Sequence, residues 1–282
     1  MYSNNIKPVA TWCFAPYLNK KSNLWSKPEY MLTAAVRSIE LVAEHYGTPT
    51  IYTDSLGKEI LSALTDKAIF LNVYDDIHKD LIDDVWIYSK ILTYQAQTSP
   101  YFHFDLDLLC LRKFEDNIFD NDIVVHSSED VTEPDTVQCY NVAKVRDRYI
   151  LPEIFDNPDI ESIRSFNMGF FYIKDMTLNA EYCNLVLDII EKNRLEFNNH
   201  MPILLPCAIE QQTLGLLLHN KQLKIETLVE EDKLDRWEKD FIHFFGWLKN
   251  SSNEYANKCH TTYLAPYVTR PILELADKLR NI

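Results

Sequence analysis

Two acids separated by one residue stand at the end of an apolar stretch, Phe102-His103-Phe104-Asp105-Leu106-Asp107-Leu108-Leu109. In near-extended backbone, residues i and i+2 point to the same side, so both carboxylates can face one ion. Mg²⁺ or Mn²⁺ held by two carboxylates keeps coordination positions open for substrate phosphates. In an open α/β sheet, ligands bind beyond the carboxyl ends of the strands, which is where this stretch would deliver the pair. Spacing alone is not diagnostic. Asp120-Asn121-Asp122 has the same form, but it sits in a polar turn before a strand and reads as a solvated loop.

Apolar periodicity says what must position the pair. Pro8 to Pro16 reads as a first buried strand. Ser26-Lys27-Pro28-Glu29 opens a helix with a capping serine, an early proline and an acid in the first turn. Leu32, Ala35, Val36, Ile39, Val42 and Ala43 then recur at helical spacing until Gly47 ends the run. Strands are predicted over 50–53 and 68–73, helices over about 55–65 and 83–98, and a strand over 101–104. Farther on, the pattern predicts a strand at 123–125, a helical insertion over about 136–156 and a strand over 165–173. Helices over about 178–197 and 206–218 follow, with strands near 223–228 and at 241–243. An amphipathic helix over about 263–281 is expected to pack on the core. Strands alternating with helices of this length imply a parallel, doubly wound sheet.

Bulk composition narrows the partners. The 282 residues carry a formal charge of −14, spread along the chain, and 46% of them are apolar. Nucleic-acid binding needs clustered Lys and Arg and anionic lipid attracts basic segments, so both are disfavoured. Peripheral membrane association is not indicated, because Arg270, Lys278 and Arg280 are balanced by Glu274 and Asp277. Six scattered cysteines without a CxxC read as reduced thiols in a cytoplasmic protein. Cys259-His260 lacks partners for a zinc site. No stretch reaches the roughly 18 apolar residues of a membrane span.

Five short signals occur in one order: Lys90 in WIYSKILTY, Asp105-Leu106-Asp107, Asn167-Met168-Gly169 in SFNMGFFYI, Glu210-Gln211 in AIEQQTLG, and His243-Phe244-Phe245-Gly246-Trp247-Leu248-Lys249. In that order they resemble the retaining glycosyltransferases of the glycogenin and lipopolysaccharide galactosyltransferase type (family 8, GT-A fold), as a divergent member. The resemblance implies a GT-A-like α/β fold, with a Rossmann-type, mostly parallel central sheet flanked by helices in a single compact domain. Residues 1–112 would form the nucleotide-binding half, 113–250 the donor-sugar and acceptor half, and 251–282 a C-terminal helical segment.

The same resemblance implies roles. His243 would be the third protein ligand of the metal, its imidazole nitrogen suiting Mn²⁺. Gly246 would let the backbone approach the phosphates, and Lys249 would offset charge on the leaving diphosphate. Lys90 would reach that diphosphate or the sugar, and Asn167 and Gly169 would shape the sugar pocket. Glu210 and Gln211 would lie at the donor sugar, with Gln211 beside the anomeric carbon. Thr11 and Asp54 would contact base and ribose. The implied reaction moves a hexose from a UDP-sugar to a glycan or lipid-linked saccharide acceptor, with Mn²⁺ or Mg²⁺. Two alternatives keep the fold: an inverting transferase or nucleotidyltransferase, and a silent nucleotide-sugar or glycan-binding protein. The chain departs from the family pattern in three places. Asn250-Ser251 replaces Pro-Trp after the lysine, Glu210 replaces Asp, and the first strand matches loosely.

Overall fold

The computed structural model describes residues 6–13, 25–75, 77, 87–129, 149–157, 162–194, 205–223, 225–229, 240–244, 246–249 and 254–280. The protein is mixed α/β, with mostly parallel strand pairing and flanking helices. It divides into two compact units that alternate along the chain: residues 8–75, 104–114 and 237–282, and residues 1–7, 76–103 and 115–236.

In the first unit, strands β1 (Lys7–Trp12, of which Lys7 belongs to the second unit), β2 (Thr50–Thr53) and β3 (Ile69–Asn72) pair in parallel, with Trp12 opposite Thr53 and Thr53 opposite Asn72. Helix α1 (Pro28–Tyr46) buries Leu32, Ala35, Val36, Ile39 and Val42, the stripe expected from their spacing. Its start differs from expectation. The N-cap is Lys27, not Ser26, and Lys27 makes no side-chain capping bond. Proline fixes the first helical position, and the Ser26 N–H instead donates to the Lys249 carbonyl at 3.2 Å.

Helix α2 (Ser55–Leu64) is capped by Asp54, whose Oδ1 accepts from the Gly57 N–H at 2.6 Å. A Cβ on Gly57 would lie 2.2 Å from Thr53 Oγ1 and 3.1 Å from the Trp12 carbonyl. Glycine therefore lets this helix start directly on the strand ends. The same unit holds a two-stranded antiparallel ribbon, β5 (Leu108–Cys110) with β9 (Phe241–His243).

The second unit contains α3 (Ile87–Gln95), β4 (Tyr101–Phe104, of which Phe104 belongs to the first unit), β6 (Ile123–Glu129) and β7 (Ser165–Ile173). It continues with α4 (Met176–Lys192), α5 (Leu205–Lys221) and β8 (Glu226–Val229). Its strands run in the order β4-β7-β6-β8, β6 antiparallel to β7 and parallel to β8. All nine residues of β7 are buried, as expected of a central strand covered on both faces. Helix α4 starts two residues earlier than its periodicity predicts, because Asp175 Oδ1 takes the N–H groups of Thr177 and Leu178.

At the C-terminus the structure corrects the single helix expected over 263–281. After α6 (Glu254–Cys259), His260–Leu264 form a π-turn and Ala265–Tyr267 a 3₁₀ turn, and only Arg270–Arg280 form the helix α7. Pro266 and Pro271 account for the break, since a proline ring clashes with the carbonyl four residues back. Helix α7 does pack on α1 and α2, burying Ile272 and Ala276. Of the insertion expected over 136–156, residues 136–148 lie outside the described residues; 149–156 contain one 3₁₀ turn, Glu153–Asp156. The ends of the predicted segments at 14–16 and 83–86 also lie outside them. Among the described residues, no helix is long and apolar enough to cross a membrane. Cys13, Cys110, Cys183 and Cys259 are buried.

Gly215 of α5 is a second enforced close approach. A Cβ there would meet the Arg164 carbonyl oxygen at 2.2 Å, and backbone cannot rotate away as a side chain can. Gly215→Ala is expected to lower stability by about 1–3 kcal/mol, the usual range for overpacking, despite alanine's better helix propensity. Urea denaturation would check the sign.

Candidate metal and donor site

The first unit gathers three of the expected site residues through its ribbon. Asp105 directly follows β4, and the chain turns at once: the Leu108 N–H donates to the Asp105 carbonyl at 3.0 Å. The chain then enters β5, whose register sets Leu108 opposite His243. The ladder extends past the strand end, because the Phe244 N–H donates to the Asp107 carbonyl at 2.9 Å. Asp107 and His243 are thereby neighbours by backbone pairing, before any side-chain attraction acts.

Ser38 of α1 fixes the turn from below. Its buried hydroxyl donates to the Leu108 carbonyl at 2.7 Å and lies 3.4 Å from that of Asp105. Sequence reading missed Ser38; the available signal was a hydroxyl on the helix face otherwise occupied by Ile39 and Val42.

Asp105, Asp107 and His243 each present one ligand atom, and these atoms lie within 4.8 Å of one another. His243 Nε2 is 3.3 Å from Asp107 Oδ1 and 3.9 Å from Asp105 Oδ2. Asp107 Oδ1 is buried directly beside His243 Nε2. Two carboxylates and an imidazole gathered this closely are what shared ligands of one cation require. Two carboxylates and an imidazole suit Mn²⁺ better than an all-oxygen set would.

Lys249 completes the cluster at the end of a 3₁₀ turn, Gly246–Lys249, with Nζ 2.6 Å from Asp107 Oδ2. Burial raises the affinity of Asp107 for a proton, but the Lys249 charge and His243 together outweigh it. The carboxyl is held well below its usual range and stays ionised.

The second unit gathers the other group. Lys90 of α3 is buried, with Nζ 3.0 Å from Glu210 Oε1 and 3.0 Å from the Met168 carbonyl. That carbonyl lies where the β6–β7 register shifts, between Val125 and Ser127. Close by on β7, Asn167 Oδ1 accepts from the Gly169 N–H at 2.9 Å. Tyr182 of α4 donates to the Glu210 carbonyl at 3.1 Å. Burial first, and then the Glu210 carboxylate, raise its phenol pKa well above the usual value, so it remains a donor. Gln211 follows Glu210 and is only 6% exposed, with Oε1 lacking a hydrogen-bond partner.

The structure thus brings Lys90, Glu210 and Asn167-Gly169 to one strand irregularity. Lys90, expected at a diphosphate or sugar, directs its ammonium to a carboxylate and a carbonyl. Thr11 and Asp54 occupy the carboxyl ends of the adjacent strands β1 and β2, where Asp54 serves as the cap of α2. Asp120 and Asp122 are exposed beside a 3₁₀ turn, as a solvated loop should be.

No curated protein matches this sequence. The solved structures that resemble this chain include two at 12% identity. One is mouse xyloside xylosyltransferase 1 in its apo form (79% of this chain, 84% of that one, TM-score 0.44). The other is the galactosyltransferase LgtC with donor and acceptor sugar analogues (75% and 70%, TM-score 0.38). Across residues 11–260 the sequence matches the family described as "Family of unknown function (DUF6734)", and the chain belongs to that family.

Proposed function

We propose that this chain is a metal-dependent glycosyltransferase that moves a hexose from a nucleoside diphosphate sugar, with UDP as the nucleotide, to a glycan or lipid-linked acceptor. The observation that carries the reading is the convergence of Asp105, Asp107 and His243 beside Lys249. A divalent cation held there would bind diphosphate oxygens and stabilise the charge that develops as they leave. Asp105, Asp107 and His243 would hold it, and Lys249 would add a second positive charge for the leaving group. Gly246 would admit the phosphates close to the backbone, and Thr11 and Asp54 would face base and ribose.

Retention is part of the proposal and rests on the family 8 resemblance. The bond from the anomeric carbon to the phosphate oxygen breaks, and the acceptor oxygen bonds that carbon on the same face. The acceptor proton passes to the departing phosphate oxygen. Gln211 suits a place beside the anomeric carbon, since its amide oxygen is buried without a partner. Asn167 and Gly169 would shape the sugar pocket. Lys90 would act through Glu210, holding that carboxylate in one position. The family's usual Asp is shorter by one methylene; the 3.0 Å contact of Glu210 with Lys90 fixes where the longer side chain ends.

Asp107→Ala is expected to abolish Mn²⁺-dependent hydrolysis of UDP-sugars; unchanged hydrolysis would remove the metal assignment. Gln211→Ala is expected to lower turnover roughly tenfold or more while UDP affinity changes little. Equal losses in both would deny Gln211 its place at the reacting carbon. A protein stabilised by UDP in a thermal-shift assay, yet turning over no donor, would be a binding module instead.

A further inference from the structure

We propose that Lys249 is an exchangeable counter-ion of Asp107, so that one ammonium group couples divalent-cation binding to diphosphate binding. The inference rests on the metal-site reading above and goes beyond it. It concerns which charges compete for Asp107 rather than which residues bind.

The Asp107 carboxylate is flanked on both oxygens. Lys249 Nζ is 2.6 Å from Oδ2, and His243 Nε2 is 3.3 Å from Oδ1. The Asp107 side chain is only 16% exposed, so water screens these charges weakly. A divalent cation drawn to Asp105 and Asp107 would enter within a few ångströms of the ammonium, and like charges repel strongly in such surroundings. Lys249 therefore opposes the ion that its neighbours attract.

The main chain and side chain of Lys249 are held separately. The carbonyl takes the Ser26 N–H at 3.2 Å, whereas the side chain is 19% exposed on a flexible four-carbon stem. The ammonium can leave Asp107 without disturbing the 3₁₀ turn. A diphosphate supplies oxygens for both cations at once. Lys249 then turns from Asp107 to phosphate, and repulsion between ammonium and metal is replaced by attraction of both to the same anion. Linkage makes the effect mutual, so metal and nucleotide each tighten the other.

The test is Mn²⁺ binding followed by the electron paramagnetic resonance signal of free Mn²⁺, with and without UDP, for the wild type, Lys249→Met and Lys249→Arg. Lys249→Met is expected to bind Mn²⁺ alone about tenfold more tightly than the wild type, within the usual range of site coupling. It should also lose most of the gain that UDP gives the wild type. Lys249→Arg keeps the charge and should stay near the wild type in Mn²⁺ binding alone. Circular dichroism of each variant verifies folding, and Lys249→Gln serves in place of Met if the latter unfolds. Equal or weaker Mn²⁺ binding by the folded neutral variant would overturn the proposal, since Lys249 would then support Asp107 rather than compete for it. Absence of Mn²⁺ binding in the wild type and the neutral variant alike, with or without UDP, would instead overturn the metal-site reading.

Discussion

The pairing of Leu108 with His243 is the constraint on which the candidate site depends. These residues are far apart in sequence, and nothing about either predicts the other. Once β5 and β9 share a register, the backbone bond from Phe244 to Asp107 follows, and an acid and an imidazole must sit side by side. A slip of one residue would turn every side chain of the ribbon to its opposite face and take His243 away from both carboxylates. Buried apolar neighbours resist that slip: Leu108, Leu109, Phe241 and Ile242 fill both faces of the ribbon, so exchanging faces would force the core to repack on each side. The site is therefore held mainly by hydrophobic burial in residues that have no polar chemistry of their own.

Around that ribbon, contacts come from segments distant in the chain. The Ser38 hydroxyl holds the turn from helix α1. The ring of Trp25 lies against Phe244 and His260, and His260 Nε2 lies 2.7 Å from the Leu248 carbonyl. The π-turn that begins at His260 thus supports the short turn bearing Lys249. The irregular C-terminal segment has this positional task even though it contributes no expected ligand.

Much of this was legible in the residues themselves. Strands 50–53, 101–104, 165–173 and 241–243 have the bounds their apolar runs predict, because short buried strands bounded by polar residues leave little choice. Helix α1 follows its stripe equally well. Two misses share a cause, proline's restriction of the backbone. Ser26 looks like a cap, yet proline at the next position but one moves the helix start to Lys27. The C-terminal periodicity is real, but two prolines divide it. Among the site residues, Asp105, Asp107, His243 and Lys249 do converge. What the sequence could not show is that Lys90 and Glu210 face each other, since an exposed lysine and a dipole-facing acid would have read the same way.

That buried pair has a consequence for how the chain can vary. Removing one partner of a buried ion pair leaves an uncompensated charge, typically at about 3–5 kcal/mol, which is a large part of a domain's stability. Replacing both by apolar groups is far milder. Positions 90 and 210 are therefore expected to change together. Drift can pass through the two together or through neither, so related sequences that lose the lysine should have lost the acid with it.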